Sequence, residues 1–323
     1  MKNKSALIIS AVVMLALIGV VALFSVFYVR KGGALMNGGA ELRNTIEIPL
    51  SQADSLLADY GSKNLNVYVG QEDKIVIKEY LNSGRSDAKA TVTFEDNKAV
   101  VTGGRWAWNW TNIFFWGSIN ERIEIYLPAQ GILDLELQTG SGNIRAEEGF
   151  AIETQRASIR AGSGNITWKN TGADDIVLYA NSGNIRGDEL KGDTSLHTGS
   201  GNITVKEIAG AVTAEAGSGN ITIERLSGSC VAEAGSGNLR VNATEVTGDI
   251  SLHTGSGNQK LELPEAVSFS LQVGTGSGNV HTDYDEYLNY NKKGNRVTGQ
   301  VGDEPICQIT SSAGSGNVTI KKN

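Results

Sequence analysis

The sequence predicts an all-β protein: a parallel β-solenoid of ~18-residue two-strand coils, preceded by one N-terminal transmembrane helix. Three observations predict it. Ser-Gly-Asn recurs nine times along the chain. Two short apolar/polar alternations lie between successive motifs. An uncharged apolar segment occupies residues 6–29.

That apolar segment comes first in the chain. As a helix its 24 residues would be about 36 Å long, enough to cross a hydrocarbon core of about 30 Å. It exceeds a secretory h-region, and no clear small-residue cleavage site follows it. Residues 1–31 are therefore expected to be an uncleaved signal anchor. The protein is expected at the cell membrane as a single-pass protein with its β domain extracytoplasmic. Lys2 and Lys4 precede the span and Arg30 and Lys31 follow it, so the positive-inside count only barely favours a cytoplasmic N-terminus. Residues 32–45 are Gly-rich and expected to be a flexible tether.

Composition narrows the rest. Gly is abundant at 40 residues and Pro scarce at 4, which suits many tight turns between ordered strands. After residue 31 the net charge is −11, which disfavours nucleic acid and anionic lipid as general partners. Cys230 and Cys307 stand alone, without zinc or redox spacing, and are read as small buried apolar residues.

Residues 46–138 hold alternating strands with longer loops, among them 65–69, 90–94 and 122–127. They are expected to be irregular early coils of the solenoid, with a separate small β domain as the alternative. Within them, Gly103–Gly117 carries Trp106, Trp108, Trp110, Phe114, Phe115 and Trp116. Either this stretch caps the open end of the solenoid, or it is exposed and contacts a partner. It is the candidate interaction patch.

The regular repeat spans 139–323. Its Asn residues are Asn143, Asn165, Asn184, Asn202, Asn220, Asn238, Asn258, Asn279 and Asn317. The central spacing is 18; the last is 38, about two periods, so an insertion at 281–305 is expected to replace one coil. Counting from each Asn, positions +1 and +3 are apolar (Ile203 and Val205, Ile221 and Ile223, Leu239 and Val241), and +2 is polar. A second strand puts small or apolar residues at −8, −6 and −4, as in Val212, Ala214 and Ala216. No unit can bury its apolar face alone; stacking units in register does so, at about 4.8 Å per coil. The Ser-Gly-Asn corners are read as structural: Gly and Asn tolerate positive φ, and stacked Asn amides can bond along the row. A substitution at Gly219 is expected to strain the corner if that residue sits at positive φ.

With these residues in view, the chain resembles the toastrack family, β-strand-repeat domains often labelled adhesins. TGSGNI (139–144), AGSGNI (161–166 and 216–221), GNRVTGQVG (294–302) and the final AGSGNVTIKK (313–322) carry the resemblance over roughly 45–323. It implies a bacterial, membrane-tethered protein, in some cases accompanying envelope-stress systems. It supplies no catalytic residues.

The same spacing sets out further constellations. The +2 column reads Arg145, Thr167, Arg186, Thr204, Thr222, Arg240, Lys260, His281 and Thr319, with no carboxylate. It could bind an anionic polymer, but Glu147, Asp188, Glu224, Glu262 and Asp283 at +4 make local charge pairing the simpler account. His197 and His253 share position −5 three coils apart, too far for one zinc ion. Glu215 and Glu233 stack between them, the one pair spaced for glycoside hydrolysis. The neutral corner Asn and the 18-residue period argue against a calcium roll. No cofactor, metal or catalytic residue is assigned. The expected function is a non-catalytic binding or sensing scaffold at the cell envelope, with an envelope protein or a cell-wall glycan as partner. The alternatives are an adhesin-like surface stalk and a solenoid glycan hydrolase or lyase.

Overall fold

The computed structural model describes residues 40–82, 85–104 and 121–323. The expected anchor at 1–31 and the patch Trp106, Trp108, Trp110, Phe114, Phe115 and Trp116 lie outside the described residues. No helix among the described residues is long and apolar enough to cross a membrane.

The described chain is all-β, with two 3-10 turns, Ser86–Ala88 and Asp285–Tyr287. The alternating pattern becomes parallel ladders. Ile203 pairs with Ile221 and Ile221 with Leu239; Ala214 pairs with Ala232 and Ala232 with Leu252. Positions +1 and +3 turn inward, so Ile203, Val205, Ile221 and Ile223 have no solvent exposure. The −6 and −4 columns add Ala214, Ala216, Ala232 and Ala234, small enough for a narrow core. Gly210 and Gly228 take the positive φ that the second turn requires (140° and 158°).

Coils stack in chain order from Asn143 to Asn258, and the order breaks at both ends. At the C-terminal end, Cys307–Ser315 pairs on one side with Leu239–Ser256 and on the other with Phe269–Ser277. Val318–Lys322 likewise lies between Gln259–Leu263 and Val280–Thr282. The last coil therefore slots between its two predecessors. The expectation that an insertion replaces a coil is corrected: the connection after Leu263 skips one level, the chain runs outside it, and its final segment returns to fill the gap. The residues expected as an insertion form Leu288–Tyr290 and Arg296–Val301, an antiparallel hairpin on the outer side of Phe269–Ser277.

The N-terminal end mirrors this. The coil of Ser55–Asp59 and Asn64–Val69 lies between the coil of Lys98–Thr102 and Arg122–Leu127 and the coil of Asp134–Thr139 and Ile144–Ala146. Antiparallel strands cover the outermost coil: Thr91–Glu95 on Lys98–Thr102, and Lys74–Leu81 on Arg122–Leu127. These end strands cover the coil edges that would otherwise offer unpaired backbone. Residues 46–138 are thus continuous with the stack, but only some of their strands are coils. Glu41–Pro49 adds antiparallel to Lys74–Leu81, so a strand begins inside the stretch expected as tether. The cause is its own alternation, which sets Ile46 and Ile48 opposite Ile77 and Ile75.

Candidate functional site

The corner asparagines form one row. Each Oδ1 accepts the backbone N–H of the corner Asn one level along, at 2.8–2.9 Å, from Asn143 through Asn258 to Asn317 and then Asn279. The row begins one level earlier than the motif, at Asn64, whose Oδ1 accepts from the Asn143 N–H at 2.8 Å. Gly-Ser-Lys-Asn at 61–64 hides it from a motif search, although Leu65 and Val67 repeat the +1 and +3 pattern.

Positive φ is not what selects Asn here: among the described residues no corner Asn has it. The amide is selected because it supplies an acceptor to an otherwise unpaired corner N–H. Gly219 also lies outside the positive-φ set. A Cβ there would overlap the carbonyl oxygen of Gly201, and one at Gly201 would overlap that of Gly183. Close stacking, not backbone strain, demands glycine at this corner. The Thr at −4 completes several corners: Thr198 Oγ1 donates to the Gly183 carbonyl at 2.8 Å and accepts from the Gly201 N–H at 3.0 Å.

Beside this row runs the +2 column. Register places Asn66, Arg145, Thr167, Arg186, Thr204, Thr222, Arg240, Lys260, Thr319 and His281 at successive levels. Two depressions follow it. One, of about 540 Å³, is lined by Asn64, Asn66, Arg122, Arg145, Thr167 and Arg186 among others; the next, of about 270 Å³, by Arg186, Asn202, Thr204, Asn220 and Thr222. Arg186 lines both.

Most of the column's cations have local partners. Arg145 Nε lies 3.4 Å from Glu147, and Glu262 takes both Arg240 (3.4 Å) and Lys260 (2.7 Å). The hydrogen bond from Lys260 holds the Glu262 carboxyl below its ordinary range. Arg122 lies 3.0 Å from Glu124 and 3.8 Å over the Tyr80 ring. Arg186 is exposed and has neither an ion pair nor a side-chain hydrogen bond among the described residues. The Asn row adds donors. From Asn143 to Asn258 each Nδ2 donates once, to the preceding Oδ1 at 3.0–3.4 Å. An amide carries two N–H groups, so one per level remains for a ligand.

The −5 column stands as the spacing implies. His197 pairs with Glu215, Glu215 with Glu233, and Glu233 with His253. His197 stacks on Tyr179 at 4.8 Å and its Nδ1 lies 3.1 Å from Glu215 Oε2; His253 Nδ1 lies 2.7 Å from Ser312 Oγ. Among the described residues no group of three His, Cys, Asp or Glu could hold a metal ion.

One polar cluster had no sequence signal. Glu79 is buried at the N-terminal end, where its carboxylate accepts from Asn44 Nδ2 at 2.6 Å and from the Ala90 N–H at 3.0 Å. Burial, and then Glu79 itself, pushes the neighbouring Tyr60 hydroxyl well above its ordinary pKa. Only the alternation of its strand was visible, and Glu79 falls on the inward phase with Ile75 and Ile77.

The family model described as Toastrack DUF4097 matches residues 46–321. No curated protein matches the chain. Among solved structures, one titled a "putative adhesin" from Parabacteroides merdae is 13% identical, with 89% of this chain and 97% of that chain covered and a TM-score of 0.45. Another so titled, from Parabacteroides distasonis, is 11% identical over 88% and 98%, with a TM-score of 0.39. A structure titled "Putative lipid binding protein", also from Parabacteroides distasonis, is 16% identical over 89% and 98%, with a TM-score of 0.36.

Proposed function

Because the chain belongs to the toastrack DUF4097 family, we propose that it is a non-catalytic binding scaffold of the cell envelope, engaging an extended anionic polymer along its asparagine edge. The observation that carries this reading is the groove shared by Arg145, Thr167 and Arg186 beside the Asn row. A polymer laid along the axis would meet one spare amide N–H per level and, within this groove, a cation at Arg145 and again two levels on at Arg186. Phosphate or carboxylate groups repeated along a wall polymer have the chemistry to use both. The uncharged segment 6–29 supports tethering at the membrane, and the acidic remainder supports selectivity through local rather than overall charge. A bound polymer would make the protein a sensor of envelope state or a contact stalk.

Cosedimentation of the full-length chain with polyglycerol phosphate or polygalacturonate tests this. Binding should weaken steeply with salt and fall at least tenfold in an Arg145→Gln/Arg186→Gln variant that remains folded. Equal binding by the variant ends the groove reading. Loss of polymer length on incubation, abolished by Glu215→Gln/Glu233→Gln, would instead favour the hydrolase alternative.

A further inference from the structure

The hairpin at the C-terminal end carries the sequence GNRVTGQVG, and most of it serves the fold. Gly294 and Gly302 take positive φ (69° and 81°). Asn295 Nδ2 donates to the Thr275 carbonyl at 2.9 Å. Val297 and Val301 are buried, and a Cβ on Gly299 would crowd the Tyr287 carbonyl. Gln300 Nε2 donates to the carbonyls of Gly302 and Asp303 at 2.9 and 3.0 Å. Two side chains remain unused, Arg296 and Thr298: neither makes a hydrogen bond or ion pair among the described residues.

Both line the same cavity, of about 610 Å³. Arg296 is the register partner of Gly274, and Thr298 of Gln272. The cavity exists because the −5 column changes character: beyond Glu215, Glu233 and His253 it continues as Ser312 and Gly274, whose small side chains leave room. Ser251, Thr310 and Ser312 add hydroxyls and Gln272 an amide to the lining, and no carboxylate lines it. A guanidinium beside hydroxyls, with no carboxylate in the lining, has the chemistry to receive an anionic group.

We infer that this cavity is a second binding site, separate from the asparagine edge, for an acidic sugar unit. The anionic group of the sugar sits on Arg296 and its hydroxyls on Thr298, Gln272 and the serine and threonine row. The volume suits a mono- or disaccharide. Carboxylate and phosphate share the required chemistry, and Arg can take either in a forked pair.

Titration calorimetry of the full-length chain with glucuronate, glucose 6-phosphate and glucose tests the site. At least one of the two anions should bind, the tighter one identifying the anionic group, and glucose at least tenfold more weakly. Arg296→Gln should lose at least tenfold affinity, Thr298→Val should weaken binding without abolishing it, and Arg225→Gln, a distant surface cation paired with Glu207, should bind like the parent. Absence of binding by both anions overturns the inference. So does equal affinity for glucose, or unchanged affinity in both the Arg296 and Thr298 variants.

Discussion

The backbone N–H of Asn317 donates to Oδ1 of Asn258 at 2.9 Å, and Asn317 Oδ1 accepts in turn from the N–H of Asn279. The chain's last corner is therefore an interior rung of the row. Chain termini usually fray. Here Val318 and Ile320 are buried and paired on both sides. Their amides should exchange hydrogen far more slowly than those of exposed loops. Exchange within seconds at neutral pH would show that the final coil does not hold this position. Deleting 307–323 should release Phe269–Val301 as a unit rather than trim one strand.

The Gly201–Gly219 contact makes a sharper demand. A single methyl at 219 already meets the Gly201 carbonyl oxygen. Gly219→Ala should cost roughly 1–3 kcal/mol, as overpacking does elsewhere. Gly274→Ala, whose Cβ would meet nothing nearer than the Arg296 Cγ at 3.6 Å, should stay within about 0.5 kcal/mol of the parent. Urea unfolding of the two variants decides it, and equal midpoints would refute the stacking account.

The Asn row should show coupling between neighbours. Asn202 Oδ1 accepts from both the N–H and the Nδ2 of Asn220, at 2.9 and 3.1 Å. Asn202→Ala should cost about 1 kcal/mol, since water can reach these partly exposed groups. Asn202→Ala with Asn220→Ala should cost less than the two separately, because they share bonds, whereas Asn143→Ala with Asn258→Ala should be additive. Full additivity in both pairs would mean that the row contributes nothing as a row.

The period, the inward columns and the order His197, Glu215, Glu233, His253 were all legible in the sequence, because each depends only on a residue's place within its coil. The order of coils at the ends was not. Every coil offers the same inward pattern, so Val280 could pair as well with Gln259 as with Val318. Connection geometry, not residue type, decides between them. For the same reason the Arg296 cavity was invisible: it depends on Gly274 and Ser312 being neighbours, though 38 residues separate them. Asn64 was missed for a simpler cause, a corner with Lys63 where later corners have Gly.

Glu79 should matter to the N-terminal end alone. Its carboxylate joins Asn44 on Glu41–Pro49 to the Ala90 N–H just ahead of Thr91–Glu95. Glu79→Ala leaves both half-buried donors without this partner and should cost roughly 1–3 kcal/mol. Glu79→Gln should be milder, because one oxygen, Oε2, accepts from both and an amide oxygen can replace it. Hydrogen exchange should speed up in Glu41–Pro49 and Thr91–Glu95 while Ile203–Ala209 stays protected. A uniform rise along the stack would show that the end does not open separately.

The two thiols can report on opening at separate places. Burial alone pushes Cys230 up to about 12, while Cys307 is raised by burial and then by Asp249. At pH 8 a thiol with that higher value is thiolate only on the order of 10⁻⁴ of the time, and only the thiolate is nucleophilic. Cys230 has coils paired on both its sides, at Val212 and Ile250. Cys307 begins the first strand of the inserted last coil, beside exposed Ile306. Iodoacetamide at pH 8 should therefore modify Cys307 first, at a rate set by local release of the last coil, and Cys230 only with global unfolding. Urea below the main transition should accelerate Cys307 and leave Cys230 unchanged. Equal rates at both would mean that the last coil is held no more loosely than the centre, and that the stack opens as one.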